Sequence, residues 1–221
     1  MIAAVDQPTR SELPIFELPL ALVPAERVPL HIFERRYRLM VADCIERDAP
    51  FGIVLRDEDG ARAVGCTALV ADVVERHDDG RMDIVVRGET PFVVLERFDA
   101  PDWPAATVEM IDVDDSTAGL GSELDEARSE FAKLLEAVGA DPGRAEASES
   151  AYPIAAQIEM PASDKQLLLE ERDERERLQA LAGSLRRLLT GLQRARREAE
   201  HARSNGHKPG TKPTIDPPDP S

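Results

Sequence analysis

Two residue pairs have the side-chain types that nucleophilic catalysis needs. His31 and Cys44 could form a Cys–His pair, in which the imidazole removes the thiol proton. Ser163 and Lys165 have the composition of a Ser–Lys dyad, but residues two apart on a helix do not face each other. Cys44 falls on the apolar face of a predicted helix, where a thiol usually serves only packing. We therefore predict that the chain is not an enzyme, and a small hydrolase or peptidase stays as an alternative.

The sequence predicts no metal site and no cofactor. Cys44 and Cys66 are not part of a CxxC motif, so we expect two buried free thiols rather than zinc ligands or a disulfide. His77 lies in a charged turn and is expected to be solvated, and His201 and His207 lie near the end of the chain. The phosphate-binding motifs GxxxxGK[ST] and GxGxxG and the calcium loop are all absent from the sequence.

The charge distribution restricts the partners. The chain carries a net charge of −16, although the segment from Arg186 onward has eight basic and four acidic residues. The acidic body would repel a phosphate backbone, so nucleic-acid binding is not expected. The sequence contains neither an apolar run long enough to cross a bilayer nor the pattern of a signal peptide. We therefore predict a cytoplasmic protein without membrane contact.

The first half of the chain shows the alternation of β-strands. A segment interrupted by Pro14, Pro19 and Pro24 reads as an edge strand followed by an irregular loop. The later runs have hairpin-like spacing, with a turn signal at Asp79-Gly80. About six strands are expected, mostly antiparallel and closing a small barrel. The predicted strands after the first are 51–55, 63–75, 82–88, 90–98 and 107–113.

The stretch "VPLHIFERRYRLM" at 28–40 predicts the entry to a helix inserted in the barrel. Phe33, Tyr37 and Val41 fall on one face at helical spacing, and we expect them to be buried. Glu34 suits the start of the helix and could pair with Arg38 four positions on.

The second half of the chain is predicted to be helical. Ser122 with Asp125 and Ser163 with Gln166 have capping-box spacing, and Gly139 is placed to end a helix. A short helix is expected over 151–160, followed by an amphipathic helix with a leucine stripe. The stripe comprises Leu178, Leu181, Leu185, Leu188 and Leu192. The predicted organisation is a flexible leader (1–12), a barrel (13–117), a helical bundle (118–200) and a disordered tail (201–221).

Several ordered motifs resemble one family. They are "LPIFELPLALVP", "PLHIFERRYRLM", "FGIVL", "DGRMDIVVRGETPFVV" and "ASDKQLLLEERDERERLQAL", and the resemblance covers residues 13–193. This pattern is similar to the N-terminal, substrate-binding domain of the Lon protease family. The resemblance implies an α+β fold, in which a PUA-like β-barrel with one inserted helix precedes a helical bundle. ATPase and peptidase motifs are absent from the sequence. We therefore expect a stand-alone bacterial member of the family that recognises polypeptides but does not cleave them.

The resemblance implies a module that binds unfolded or partly folded polypeptides, in company with a protease or chaperone. The proline-interrupted segment would leave apolar side chains exposed as a groove for an extended peptide. The alternative is that these side chains are core residues. RNA binding is a further alternative, since the barrel type occurs in RNA-modification proteins. The candidate groove residues are Leu18, Leu20, Leu22, Val23, Val28, Leu30 and Trp103, and the family-motif residues expected to be structural are Pro29, His31, Phe33, Glu34, Arg36 and Tyr37.

Overall fold

The computed structural model describes residues 10–113 and 117–205, with side chains as far as 201. Most of the predicted leader and tail lies outside the described residues. The first strand nevertheless begins at Arg10, inside the predicted leader, and the last helix extends to Asn205, inside the predicted tail. Within the described part of the chain, no helix is both long and apolar enough to cross a membrane.

Five of the six strands close into a barrel, and the sixth, β2, is an edge strand paired only with β5; the fold is of the predicted α+β class. The hydrogen-bonded order is β2-β5-β4-β3-β1-β6, and an additional β5–β6 pairing closes the sheet. One pair, β1 with β3, is parallel, whereas the sequence suggested antiparallel neighbours. The strands are β1 (Arg10–Leu18), β2 (Arg27–Ile32), β3 (Phe51–Asp57), β4 (Gly60–Arg76), β5 (Met82–Asp99) and β6 (Pro104–Met110).

Two of the predicted strand assignments are wrong. The ranges 82–88 and 90–98 form the single strand β5, which pairs with β2 through its first part and with β6 through its last part. The segment containing Pro29 and Leu30 is the strand β2 rather than the entry to the helix. Val28, Leu30 and Ile32 alternate along β2 with more exposed residues, which is the period of a half-buried strand.

The inserted helix α1 runs from Arg35 to Arg47, and its buried face includes Tyr37, Val41 and Cys44, as the periodicity predicts. The prediction for Phe33 is wrong, since its side chain is 61% exposed. Glu34 has extended backbone angles and is the N-cap, so the helical periodicity does not extend back to Phe33. Glu34 pairs with Arg36 at 3.2 Å instead of with Arg38.

The loop that follows β1 turns inward at residues 21–23. Leu22 and Val23 are fully buried, which corrects their assignment as ligand contacts. The loop is held on β5 by two backbone hydrogen bonds of 2.9 Å, from Ala25 N to Gly88 O and from Gly88 N to Glu26 O. A Cβ atom at Gly88 would lie 2.2 Å from the Val23 carbonyl oxygen, so this close approach requires glycine.

The C-terminal part is helical, as predicted. The helix α2 ends at Gly139, which has a φ of 77° and donates to Glu136 O. Both predicted capping boxes are wrong, because α2 begins after Leu120 and α4 begins after Pro161, which places Ser122 and Ser163 inside the helices. The helices are α2 (Gly121–Val138), α3 (Ala151–Ala155), α4 (Ala162–Glu170) and α5 (Glu174–Asn205), with a 3-10 turn at Pro142–Ala145.

One hydrophobic core joins the barrel to the helices. Leu178, Leu181 and Leu185 of α5 are fully buried in this core, while Leu188 and Leu192 pack on its border. The stripe therefore packs against the chain's own core, as predicted for an ordinary amphipathic helix.

Candidate functional site

A cleft of about 360 Å³ opens where β1 and β2 end and α1 begins. The ends of the two strands form one side, and the first turn of α1 forms the other. Its lining residues are Phe16, Glu17, Leu18, Pro19, His31, Phe33, Glu34, Arg36, Tyr37 and Arg56.

Phe33 is the prominent apolar group of this cleft. Its ring stacks on the His31 ring, with centroids 6.0 Å apart and planes inclined by 20°. An aromatic side chain that is 61% exposed gains little from burial in the free protein, so its apolar surface is available to a ligand.

Aromatic rings form the floor of the cleft. Phe16 and Tyr37 are both buried, and their ring centroids lie 4.0 Å apart. The Arg36 guanidinium lies 4.5 Å from the Tyr37 ring centroid, in a cation–π arrangement. Burial raises the pKa of Tyr37, so its hydroxyl stays protonated and neutral at physiological pH.

Charged side chains form the polar border of the cleft. The Arg56 Nε atom donates to Glu17 Oε2 at 2.7 Å, and Arg97 Nε lies 3.5 Å from Glu17 Oε1. A second cavity of about 290 Å³ shares Glu17, Arg36 and Arg56 with the cleft and reaches Phe98. The two cavities are adjacent, and Phe33 lines only the first while Phe98, which is 37% exposed, lines only the second.

The predicted groove residues separate into two groups. Leu18 lines the cleft beside Pro19 and Phe33, and it also packs partly against the main core. The remaining candidate groove residues that are not fully buried pack partly against the main core, in agreement with the alternative that they are core residues. They are Leu20, Val28, Leu30 and Trp103.

The family-motif residues lie closer to the cleft than the sequence indicated. His31, Phe33, Glu34, Arg36 and Tyr37 all line it, although we assigned them only structural roles. The sequence signal that could have shown this is an aromatic residue directly before a helix N-cap, where the chain changes direction.

Both histidines of the barrel contact Asp83, contrary to expectation. His31 Nδ1 lies 2.6 Å from Asp83 Oδ1, and His77 Nε2 lies 2.7 Å from Asp83 Oδ2. His31 lies on strand β2, and His77, which the sequence predicts to be solvated, pairs with Asp83. Hydrogen bonds from His31 and then from His77 lower the pKa of Asp83.

The candidate nucleophiles are not activated. Cys44 and Cys66 are free, buried thiols, as predicted. Desolvation raises the pKa of Cys44 to about 11, which disfavours the reactive thiolate. Lys165 is buried and pairs with Glu26, whereas Ser163 is exposed on α4, so they do not form a Ser–Lys dyad.

Comparisons with known proteins agree with this architecture. A family model described as the ATP-dependent protease La (LON) substrate-binding domain matches residues 12–187. Among solved structures, the chain is similar to a Lon N-terminal domain protein from Xanthomonas campestris, with 23% identity, 78% of this chain and 98% of that chain covered, and a TM-score of 0.58.

The chain is also similar to the N-terminal domain of Mycobacterium avium complex Lon protease, with 19% identity and a TM-score of 0.67. That match covers 79% of this chain and 98% of the other. At these identities the two structures support the fold, while the family model covers most of the sequence. The chain therefore belongs to the LON substrate-binding domain family.

Proposed function

We propose that the chain recognises unfolded or partly folded polypeptides, without any catalytic step, and that the Phe33 cleft receives their apolar side chains. The observation that carries the proposal is the exposed Phe33 ring beside Leu18 and Pro19. The family to which the chain belongs is described as a substrate-binding domain. We further propose that the module acts in the cytoplasm and supplies its substrates to a protease or chaperone.

The polar border supports an extended peptide as the ligand. Extended segments present apolar side chains and unpaired backbone groups together. The Arg36 and Arg56 guanidinium groups carry donors for carbonyl oxygens, while Phe33 and Phe98 mark two apolar positions along the same surface. This combination favours short apolar segments with polar residues between them.

The test uses the full chain and a fluorescein-labelled, reduced and carboxymethylated α-lactalbumin as a permanently unfolded probe. Fluorescence anisotropy should show saturable binding in the micromolar range. Phe33→Ala should weaken binding at least fivefold, because the exposed ring is the main apolar contact. No binding at tens of micromolar would contradict the proposal.

Leu167→Ala is the matched control, because Leu167 is also an exposed apolar residue, at 55%, but lies on α4. It should leave the affinity unchanged. Equal losses in Phe33→Ala and Leu167→Ala would mean nonspecific hydrophobic adhesion and would reject the cleft as the site. Thermal melting of both variants verifies that each one is folded.

A further inference from the structure

Three adjacent strands place two imidazoles around one carboxylate. β5 lies between β2 and β4 in the sheet. Asp83 on β5 is directly opposite His31 on β2 and opposite Glu75 on β4, and His77 directly follows the end of β4. His77 and Asp83 lie six positions apart in one hairpin, whereas His31 is 52 positions from Asp83, so no spacing motif indicates that it joins them.

The potential ligand atoms are close enough for one cation. One atom each from His31, His77 and Asp83 lie within 4.8 Å of one another. A tetrahedral site with bonds of about 2.1 Å needs ligand atoms about 3.4 Å apart. His31 Nδ1 and His77 Nε2 now lie 2.6 Å and 2.7 Å from the Asp83 oxygens, so these atoms must separate slightly to admit a cation. The three side chains can rotate to do so, because they are only partly buried, at 45%, 25% and 36% exposure.

Neighbouring groups orient both imidazoles. The Nδ1 atom of His77 lies 3.6 Å from a Glu75 carboxylate oxygen, while its Nε2 atom faces Asp83. A histidine that binds a metal through one nitrogen commonly directs the other to a carboxylate. The Phe33 ring stacks on His31 and restricts its rotation.

The backbone that carries His77 is fixed by its hairpin. His77 N donates to Arg81 O, and Gly80 N donates to His77 O, both at 2.9 Å. The Arg38 side chain of α1 donates to the Asp79 carbonyl oxygen and holds the hairpin against the helix. The ligands are therefore positioned by paired strands and a braced turn rather than by a loose loop.

We propose that His31, His77 and Asp83 form a binding site for Zn²⁺, with water completing the coordination. Two imidazoles and one carboxylate suit a first-row transition cation of this type, whereas Mg²⁺ prefers oxygen ligands alone. The site reverses the sequence-based prediction that the chain has no metal ligands. It shares His31 with the proposed cleft, but its test measures metal binding and does not depend on peptide binding.

The experiment is isothermal titration calorimetry of the full chain with zinc chloride at pH 7.5 in a non-chelating buffer. We expect one high-affinity site per chain and a rise in melting temperature with Zn²⁺ concentration. Magnesium chloride is the control and should give neither effect. Failure of the wild-type chain to bind Zn²⁺ at about 100 μM would overturn the proposal.

Variants locate the site among the four histidines of the chain. His77→Gln and Asp83→Asn should each weaken Zn²⁺ binding at least tenfold, with His31→Gln as the substitute if either fails to fold. The double variant His201→Gln/His207→Gln should retain wild-type affinity. Loss of binding in the double variant, with retention in His77→Gln, would place the metal elsewhere and refute the site.

Discussion

Lys165 of α4 and Glu26 of the β1–β2 loop form a buried ion pair between residues 139 positions apart. The other oxygen of the carboxylate, Glu26 Oε2, accepts a hydrogen bond from the Val23 backbone at 3.2 Å. This pair connects the helical part of the chain to the loop that closes against β5. Removing one partner would leave a buried charge without compensation.

Lys165→Met should therefore lower the free energy of unfolding by about 3 to 5 kcal/mol, because Glu26 would remain buried and unpaired. Urea unfolding followed by circular dichroism measures the change. Arg187→Met is the control, since the Arg187 side chain is 61% exposed and loss of its pair with Asp164 should cost no more than ~1 kcal/mol. Equal losses in the two variants would show that the buried pair has no special role.

Arg177 should be equally sensitive to substitution. It is fully buried, pairs with Glu174, donates to Glu171 O at 3.1 Å and lies over the Tyr152 ring. Glu174 in turn accepts from Ala151 N at 2.7 Å, so one network fixes the starts of α3 and α5. Arg177→Met should cost about 3 to 5 kcal/mol in chemical denaturation, because Glu174 stays buried without its cation.

The matched control for Arg177 is Arg194→Met, which breaks an exposed pair with Glu198 on the same helix. Its expected cost is below ~1 kcal/mol. A similarly small loss for Arg177→Met would mean that Glu174 finds another partner, and would remove the network as a determinant of stability.

Local patterns predict the elements, because the strand and helix periods depend only on neighbouring residues. The face of α1 that contains Tyr37 and Val41 was predictable in this way. Phe33 was not, because the chain leaves the helical path at Glu34 and the helical period no longer applies. The pairing of His31 with Asp83 depends on strand register, which a single sequence does not specify.

The loop 19–26 shows the same limit. Its prolines correctly indicate irregular backbone. How deeply the loop is buried, however, is set by its contact with Gly88, on a strand distant in sequence. Leu22 and Val23 are consequently core residues, although the proline-interrupted sequence around them suggested an exposed groove. The cleft at Phe33 likewise combines the ends of two strands and the start of a helix, so it emerges only from the fold.

Gly88→Ala tests the close approach of that loop. A methyl group would meet the Val23 carbonyl oxygen, and backbone on both sides limits relaxation, so stability should fall by about 2 to 3 kcal/mol. Gly191→Ala is the control, because no neighbouring atom lies within 4 Å of its added Cβ on α5. That variant should gain up to ~1 kcal/mol through helix propensity. The opposite order of melting temperatures would contradict the proposed packing.

Cys44 should react slowly in the folded protein. Burial raises its pKa from 9.0 to about 11, so at pH 8 the thiolate is about 100-fold rarer than in an unfolded chain. The neutral thiol is the form that the fold stabilises. Its contribution to stability is therefore complete below pH 9 and is lost as the pH rises through about 11.

Reaction with Ellman's reagent at pH 8 measures this difference. Native protein should react at least about 100-fold more slowly than the same protein in urea, since access is restricted in addition to ionisation. Cys66 should not obscure the result, because burial also raises its pKa. If one thiol per chain reacts rapidly in the native protein, and this rapid reaction is missing from a Cys44→Ala variant, then Cys44 is an activated cysteine. Such a result would restore the hydrolase alternative, because packing on the buried face of α1 does not account for a reactive Cys44.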